Sequence, residues 1–126
     1  MIFGIGTDVV SVQRMADNLE RYGERFARRI LTDQEWEGYR ESVRKAHFLA
    51  KRFAAKEAMA KAMGTGFRNG LSLRDFGVGH DALGKPMLEA SEHARRRMDE
   101  LGVGACHLSI SDEQAYAIAF VTLERA

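Results

Sequence analysis

The sequence predicts a single α+β domain with a mainly antiparallel sheet, and three observations carry that prediction. Cap-bounded helical stretches fill most of the first half. Two strand-like segments, 73–80 and 86–90, flank an Asp81-Ala82-Leu83-Gly84 turn. The tail alternates apolar and polar residues on either side of a hairpin. Length agrees: 126 residues, of which 29 are Leu, Ile, Val or Phe, suit one domain over 1–126 with a modest core.

Residues 2–6, Ile-Phe-Gly-Ile-Gly, read as a short buried strand ending at Thr7-Asp8. Ser11 caps a helix to about Arg21, interrupted near Gly23 and resuming to Ile30. Thr32-Asp33-Gln34-Glu35 is a capping box, with Thr32 at the N-cap and Glu35 three residues on. It opens a helix to about Arg44. A further helix, from about Ala46 to Met63, is rich in alanine and stops at Gly64. Glycines 64, 66 and 70 make the next segment a loop. Pro86 sits at the start of the return strand 86–90, Ser91 caps a helix, and Gly102 ends it. In the tail, Cys106, Leu108 and Ile110 share one strand face, and Tyr116, Ile118 and Phe120 share a face of the next. Ser111-Asp112-Glu113-Gln114 joins these two strands.

Composition excludes several classes. Lys and Arg number 19 against 18 Asp and Glu, and 45% of residues are hydrophobic, so the chain is not of the disordered type. No apolar run approaches the ~18 residues a membrane helix needs. The N-terminus lacks a signal-peptide pattern, and the expectation is a cytoplasmic domain. One cysteine, Cys106, forms neither an internal disulfide nor a multi-cysteine metal site. His47, His80, His93 and His107 include no pair at zinc-ligand spacing. There is no Walker-A loop, and Gly4-Ile5-Gly6 lacks the third glycine of a dinucleotide fingerprint.

Chemistry concentrates in two places. On the helix 46–63, Leu49, Phe53, Met59 and Met63 share a broad apolar side, while Ala50, Ala54, Glu57 and Lys61 form another stripe. Glu57 and Lys61 stand one turn apart over small side chains, which leave room for a ligand. Read blandly, they are an ordinary i,i+4 ion pair worth ~0.2–0.5 kcal/mol. Asp8 follows two glycines that let the backbone approach a neighbour closely, and it reads equally as an Asx-turn or capping residue.

The second place is residues 13–29. If the helix continues past Gly23, Arg14, Arg21, Arg25 and Arg28 fall within about 60° on one face. That face is either solvated or a dock for an acidic macromolecule. The balanced total charge favours an acidic protein over nucleic acid.

Three segments together resemble the holo-[acyl-carrier-protein] synthase family of 4′-phosphopantetheinyl transferases. They are Gly4-Ile5-Gly6-Thr7-Asp8-Val9-Val10 leading to Arg14, then Phe48-Leu49-Ala50-Lys51-Arg52-Phe53-Ala54-Ala55-Lys56-Glu57-Ala58, then Lys61-Ala62-Met63-Gly64-Thr65-Gly66. Arg28-Arg29-Ile30-Leu31-Thr32, Gly84-Lys85-Pro86 and His107-Leu108-Ser109-Ile110-Ser111 fill matching places. The resemblance runs essentially end to end.

It implies transfer of the 4′-phosphopantetheine arm of coenzyme A to a serine of apo acyl carrier protein, in the service of fatty-acid synthesis. It assigns Asp8 and Glu57 to Mg²⁺, with Glu57 or a water beside it as base. Lys61 is implied for the leaving-group charge, Arg52 and the Gly64 backbone for coenzyme A phosphates. Arg14, Arg21, Arg25 and Arg28 or Arg29 are implied as the dock for an acidic carrier helix. Where many family members carry histidine for the 3′-phosphate, this chain has Asp112, an aspartate that would repel it, so the contact must come from other basic groups, such as Lys45, Arg52 or His107. The family also implies a homotrimer with active sites between subunits, and the strands 106–110 and 116–120 are candidates for its interface. Two alternatives are a non-catalytic module binding acidic proteins through the arginine face, and the same chemistry on polyketide or peptide-synthetase carriers.

Overall fold

The computed structural model describes all 126 residues. Ten elements of regular structure alternate along the chain: β1 Ile2–Ser11, α1 Val12–Tyr22, α2 Glu24–Ile30, α3 Asp33–Glu41, α4 Lys45–Met63, β2 Phe76–His80, β3 Pro86–Ala90, α5 Glu92–Leu101, β4 Val103–Asp112 and β5 Tyr116–Arg125. A single 3-10 turn, Leu73–Asp75, leads into β2. The α+β prediction holds. The larger sheet has the order β1-β5-β4 and is antiparallel throughout, while β2 and β3 form a separate antiparallel hairpin.

Helix ends fall where local chemistry puts them. Ser11 Oγ accepts from Arg14 N at 3.2 Å, Ser91 Oγ from Ala94 N at 3.1 Å, and the Thr32/Glu35 box forms in both directions. Gly64 and Gly102 end α4 and α5 with φ of 80° and 81°, which a residue with a Cβ adopts only at a cost. Three boundaries differ from expectation. β1 continues to Ser11 because β5 pairs with it along its length, which places Asp8 inside a strand opposite Ala119. α3 ends at Glu41, since the Ser42 amide turns back to Tyr39 O. Residues 73–75 form the 3-10 turn because the Asp75 carboxylate accepts from Ser72 N.

α4 is the axis of the molecule, and it is not amphipathic. Ten of its residues are buried, among them both methionines, four alanines beyond the stripe predicted for the ligand side, and Lys56. A helix buried almost all round belongs in a core. The sheet meets it with small residues. A Cβ at Gly4 would overlap the carbonyl oxygen of Ala62, and one at Gly6 that of Ala58, so strand and helix backbones touch directly. Ala117, Ala119, Val121 and Leu123 of β5 line the same inner face, each fully buried. Leu108 is buried as the tail pattern predicted. Tyr116, Ile118 and Phe120 point the other way, onto an outer face, and are 54%, 46% and 45% exposed.

Gly23 breaks the arginine stripe. Its backbone (φ 66°, ψ −151°) ends α1 and starts α2 in a new direction. Arg14 and Arg21 therefore share one helix, while Arg25, Arg28 and Arg29 lie on another. The single 60° face does not form.

Candidate active site

The close seating of β1 on α4 creates the first half of the site. Because Gly4 and Gly6 let the strand lie against the helix, Asp8, two residues farther along the same inner face, meets the last turns of α4. Lys61 Nζ donates to Asp8 Oδ1 at 3.1 Å and to Thr7 O at 3.0 Å. The lysine thus bridges to the strand and does not form the bland helical pair with Glu57. Glu57 is half-buried on the preceding turn. Burial holds its carboxyl above the ordinary carboxylate range, and the charge of Asp8 raises it further, against opposing pulls from Lys61 and Arg14. Two carboxylates, one ammonium and one guanidinium thus converge where β1, α1 and α4 meet. Arg14, whose guanidinium lies 5.9 Å from the Phe53 ring centroid, faces this group as well as solvent.

The second half is a cleft of about 380 Å³ between α4, the β2–β3 hairpin and the end of β4. Phe48, Lys51, Arg52, His80, Pro86 and Asp112 are among its walls. A neighbouring cleft of about 360 Å³ shares Phe48, Lys51 and Asp112 and adds Arg44 and His47. Asp112 thus lines the same cleft as Lys51, Arg44 and His47. None of these three was a candidate from sequence, because on a linear reading they are ordinary surface charges. Only the proximity of β4 to α4 groups them.

Several predicted contacts lie elsewhere within the chain. Lys45 Nζ donates to Ser42 O at 2.7 Å and Arg40 O at 3.2 Å, where it caps the end of α3. His107 is on the outer sheet face, 2.6 Å from Glu124 Oε2, because strand alternation turns it away from Ile110 and the cleft. The amides of Gly64 and Gly66 both donate back to α4, to Lys61 O and Ala60 O, and are not free for a phosphate. Arg52 does line the cleft, with its guanidinium stacked 3.6 Å from the Phe48 ring centroid. Arg28 is stacked at 3.8 Å on Trp36, and Arg21 lies 5.5 Å from the Tyr22 ring.

Covalent and zinc chemistry find no support. Cys106 is half-buried against Met59, and burial pushes its thiol up to about 11, leaving almost no thiolate near neutrality. No cluster of three or more His, Cys, Asp or Glu side chains exists. The carboxylate pair is a set of hard oxygen donors, with no sulfur or imidazole. No helix is long and apolar enough to cross a membrane.

Comparison with known proteins agrees with this layout. The model of the 4′-phosphopantetheinyl transferase superfamily matches residues 4–121. A holo-[acyl-carrier-protein] synthase of Nitrosospira multiformis is 55% identical over 125 residues, covering 99% of this chain and 100% of that one. The crystal structure of the Neisseria meningitidis synthase superposes with a TM-score of 0.95 at 46% identity, over 99% of this chain and 100% of that one. A Bacillus anthracis synthase solved in complex with CoA (3′,5′-ADP) superposes at 0.82 with 38% identity, over 100% and 99%. The chain belongs to the 4′-phosphopantetheinyl transferase superfamily, as an enzyme of the holo-[acyl-carrier-protein] synthase family.

Proposed function

We propose that this enzyme moves the 4′-phosphopantetheine group of coenzyme A to a serine of apo acyl carrier protein, in fatty-acid biosynthesis. The observation that carries the reading is the convergence of Asp8, Glu57 and Lys61 at the meeting of β1 and α4. A module that only docks acidic proteins has no use for two carboxylates forced together against burial and repulsion. In the transfer, a bond forms between the serine Oγ and the phosphorus next to the pantetheine arm. The phosphoanhydride bond breaks, and adenosine 3′,5′-bisphosphate leaves. Glu57, or a water beside it, is placed to take the serine proton. Lys61, tethered to Thr7 O and Asp8, sets a positive charge beside the leaving phosphate.

The family implies Mg²⁺, and Asp8 with Glu57 fits it. A cation held by both would offset the burial cost of the Glu57 charge and its repulsion by Asp8, and two carboxylates leave positions for water and phosphate oxygens. When bound, the ion would neutralise charge on the pyrophosphate. Arg52 with Lys51 and Arg44 suits the anionic end of coenzyme A, the last two offsetting Asp112, while His47 accepts from Arg44. Arg14 and Arg21 on α1, then Arg25 and Arg29 on α2, offer the carrier two basic surfaces in place of one stripe. The outer sheet face, with Val9, Tyr116, Ile118 and Phe120 exposed together, supports a homotrimer that buries it.

Mass spectrometry of apo carrier protein incubated with enzyme, coenzyme A and Mg²⁺ tests the reaction. A gain of one phosphopantetheine mass is expected. No gain, with a folded enzyme and a competent carrier, overturns the reading in favour of a docking module.

A further inference from the structure

The two most deeply buried charges of the molecule have no part in the chemistry above, yet one of them touches Arg52, which lines the cleft. Lys56 is 0% exposed and Glu35 5%. Glu35 Oε1 accepts from Lys56 Nζ at 2.6 Å and from Thr32 N at 3.0 Å. Its Oε2 accepts from Val78 N at 2.9 Å and lies 3.5 Å from Arg52 Nε. Lys56 Nζ also donates to Ile30 O. One carboxylate thus ties the start of α3, strand β2 and two turns of α4, and serves two cations.

The balance is uneven. Two positive charges face one negative, so the cluster carries a surplus positive charge where water is scarce. The ammonium of Lys56 donates to both Glu35 and Ile30 O. Arg52 differs: its side chain is only 12% exposed, its Nε is buried with no hydrogen-bond partner, and its plane is pinned on Phe48 at 3.6 Å. Phe48 and Arg52 both line the 380 Å³ cleft. A guanidinium gripped from behind by a carboxylate and from one face by an aromatic ring presents its remaining edge in one orientation. That is a preorganised fork for an anion.

We infer that Glu35 is a positioning residue for the substrate: through Arg52 it fixes the guanidinium edge that receives a phosphate oxygen of coenzyme A in the cleft. The inference rests on the functional reading above and adds to it a residue with no substrate contact of its own. Glu35 sets the affinity for coenzyme A and leaves the carrier and the transfer step alone, because it bonds to none of Asp8 on β1 or Glu57 and Lys61 on the last turns of α4.

The test is steady-state kinetics of Glu35→Gln, Arg52→Ala and the double variant, varying coenzyme A and carrier separately. Glu35→Gln is expected to raise KM for coenzyme A about tenfold, the effect of losing one charge-assisted contact. Its kcat and its KM for the carrier stay within about twofold, the margin left by small indirect effects. The double variant should be no worse than Arg52→Ala, since Glu35 acts only through Arg52. If Glu35→Gln does not fold, Glu35→Gln combined with Lys56→Met removes the ion pair from the interior as a unit. The same KM split is expected of that pair. Multiplying losses in the double variant, or parallel shifts in kcat and both KM values, assign Glu35 to the fold alone and overturn the inference. An unchanged KM in Arg52→Ala, with the unaltered enzyme still transferring, overturns it too. Failure of the unaltered enzyme to transfer overturns the functional reading instead.

Discussion

Two charge clusters grow from adjacent residues of α4 and have opposite characters. Lys56 and its partner Glu35 are sealed in the core, with both carboxylate oxygens and the ammonium hydrogen-bonded. Glu57 points about a quarter-turn away into a half-open site where it faces Asp8, a charge of its own sign. The first cluster is satisfied and holds elements together. The second sets two carboxylates in one site, where Lys61 and Arg14 offset only part of what burial and the Asp8 charge impose on Glu57. Burial alone does not separate structural from chemical charge. What separates them is whether each buried charge finds its complement within the chain.

The largest expected effects test that contrast directly. Glu57→Gln should lower kcat for carrier modification by about 10³ or more, as loss of a positioned base does, while thermal stability stays level or rises. Lys56→Ala should do the reverse, costing ~3–5 kcal/mol in urea unfolding by leaving the Glu35 carboxylate buried without its partner. Equal losses of stability in the two variants would erase the distinction. Lys61→Ala comes next, with kcat down about 10² and little change in stability, since its bond to Asp8 is half in solvent. A larger loss of stability than of rate would make that lysine a structural tie.

The smallest effect concerns pH. The raised pKa of Glu57 means that the folded state binds its proton more tightly than the unfolded chain does. Between the ordinary carboxylate value and the raised one, the folded state holds more protons, so stability falls as pH rises through that interval. Glu57→Gln removes this decline. Melting temperatures of the two proteins should therefore diverge as pH rises from about 4.5, the variant becoming the more stable by ~2 °C. Curves that stay parallel would mean that neither burial nor the Asp8 charge raises Glu57 in the folded state.

Much of this layout can be read from local chemistry. Caps at Ser11, Thr32 and Ser91 and stops at Gly64 and Gly102 act through neighbours three or four residues away, so sequence alone places them. Gly4 and Gly6 likewise announced a close approach, though not to what. The misreadings are all long-range. The wheel of α4 assumed a solvent side, but the helix is enclosed by the sheet, α1 and the hairpin. Glu35 satisfied its capping role so well that its second role, as the buried anion for Lys56 and Arg52, left no trace in the local pattern. His107 and Lys45 were grouped with Arg52 by charge, whereas strand alternation and the end of α3 direct them elsewhere.

From the chain alone come the α+β class, the helix ends, and, through a resemblance, Asp8, Glu57 and Lys61 as the proposed site residues. These rest on backbone preferences and on residue identity, both readable in order along the chain. Tertiary structure decided which charges meet: Asp8 with Lys61 across 53 positions, Glu35 with Lys56 across 21, and Asp112 with Lys51, Arg44 and His47. It also decided that Tyr116, Ile118 and Phe120 face outward, because the alanines between them are the side chains small enough to lie under α4. Packing is a property of two surfaces at once, and a sequence presents them one residue at a time.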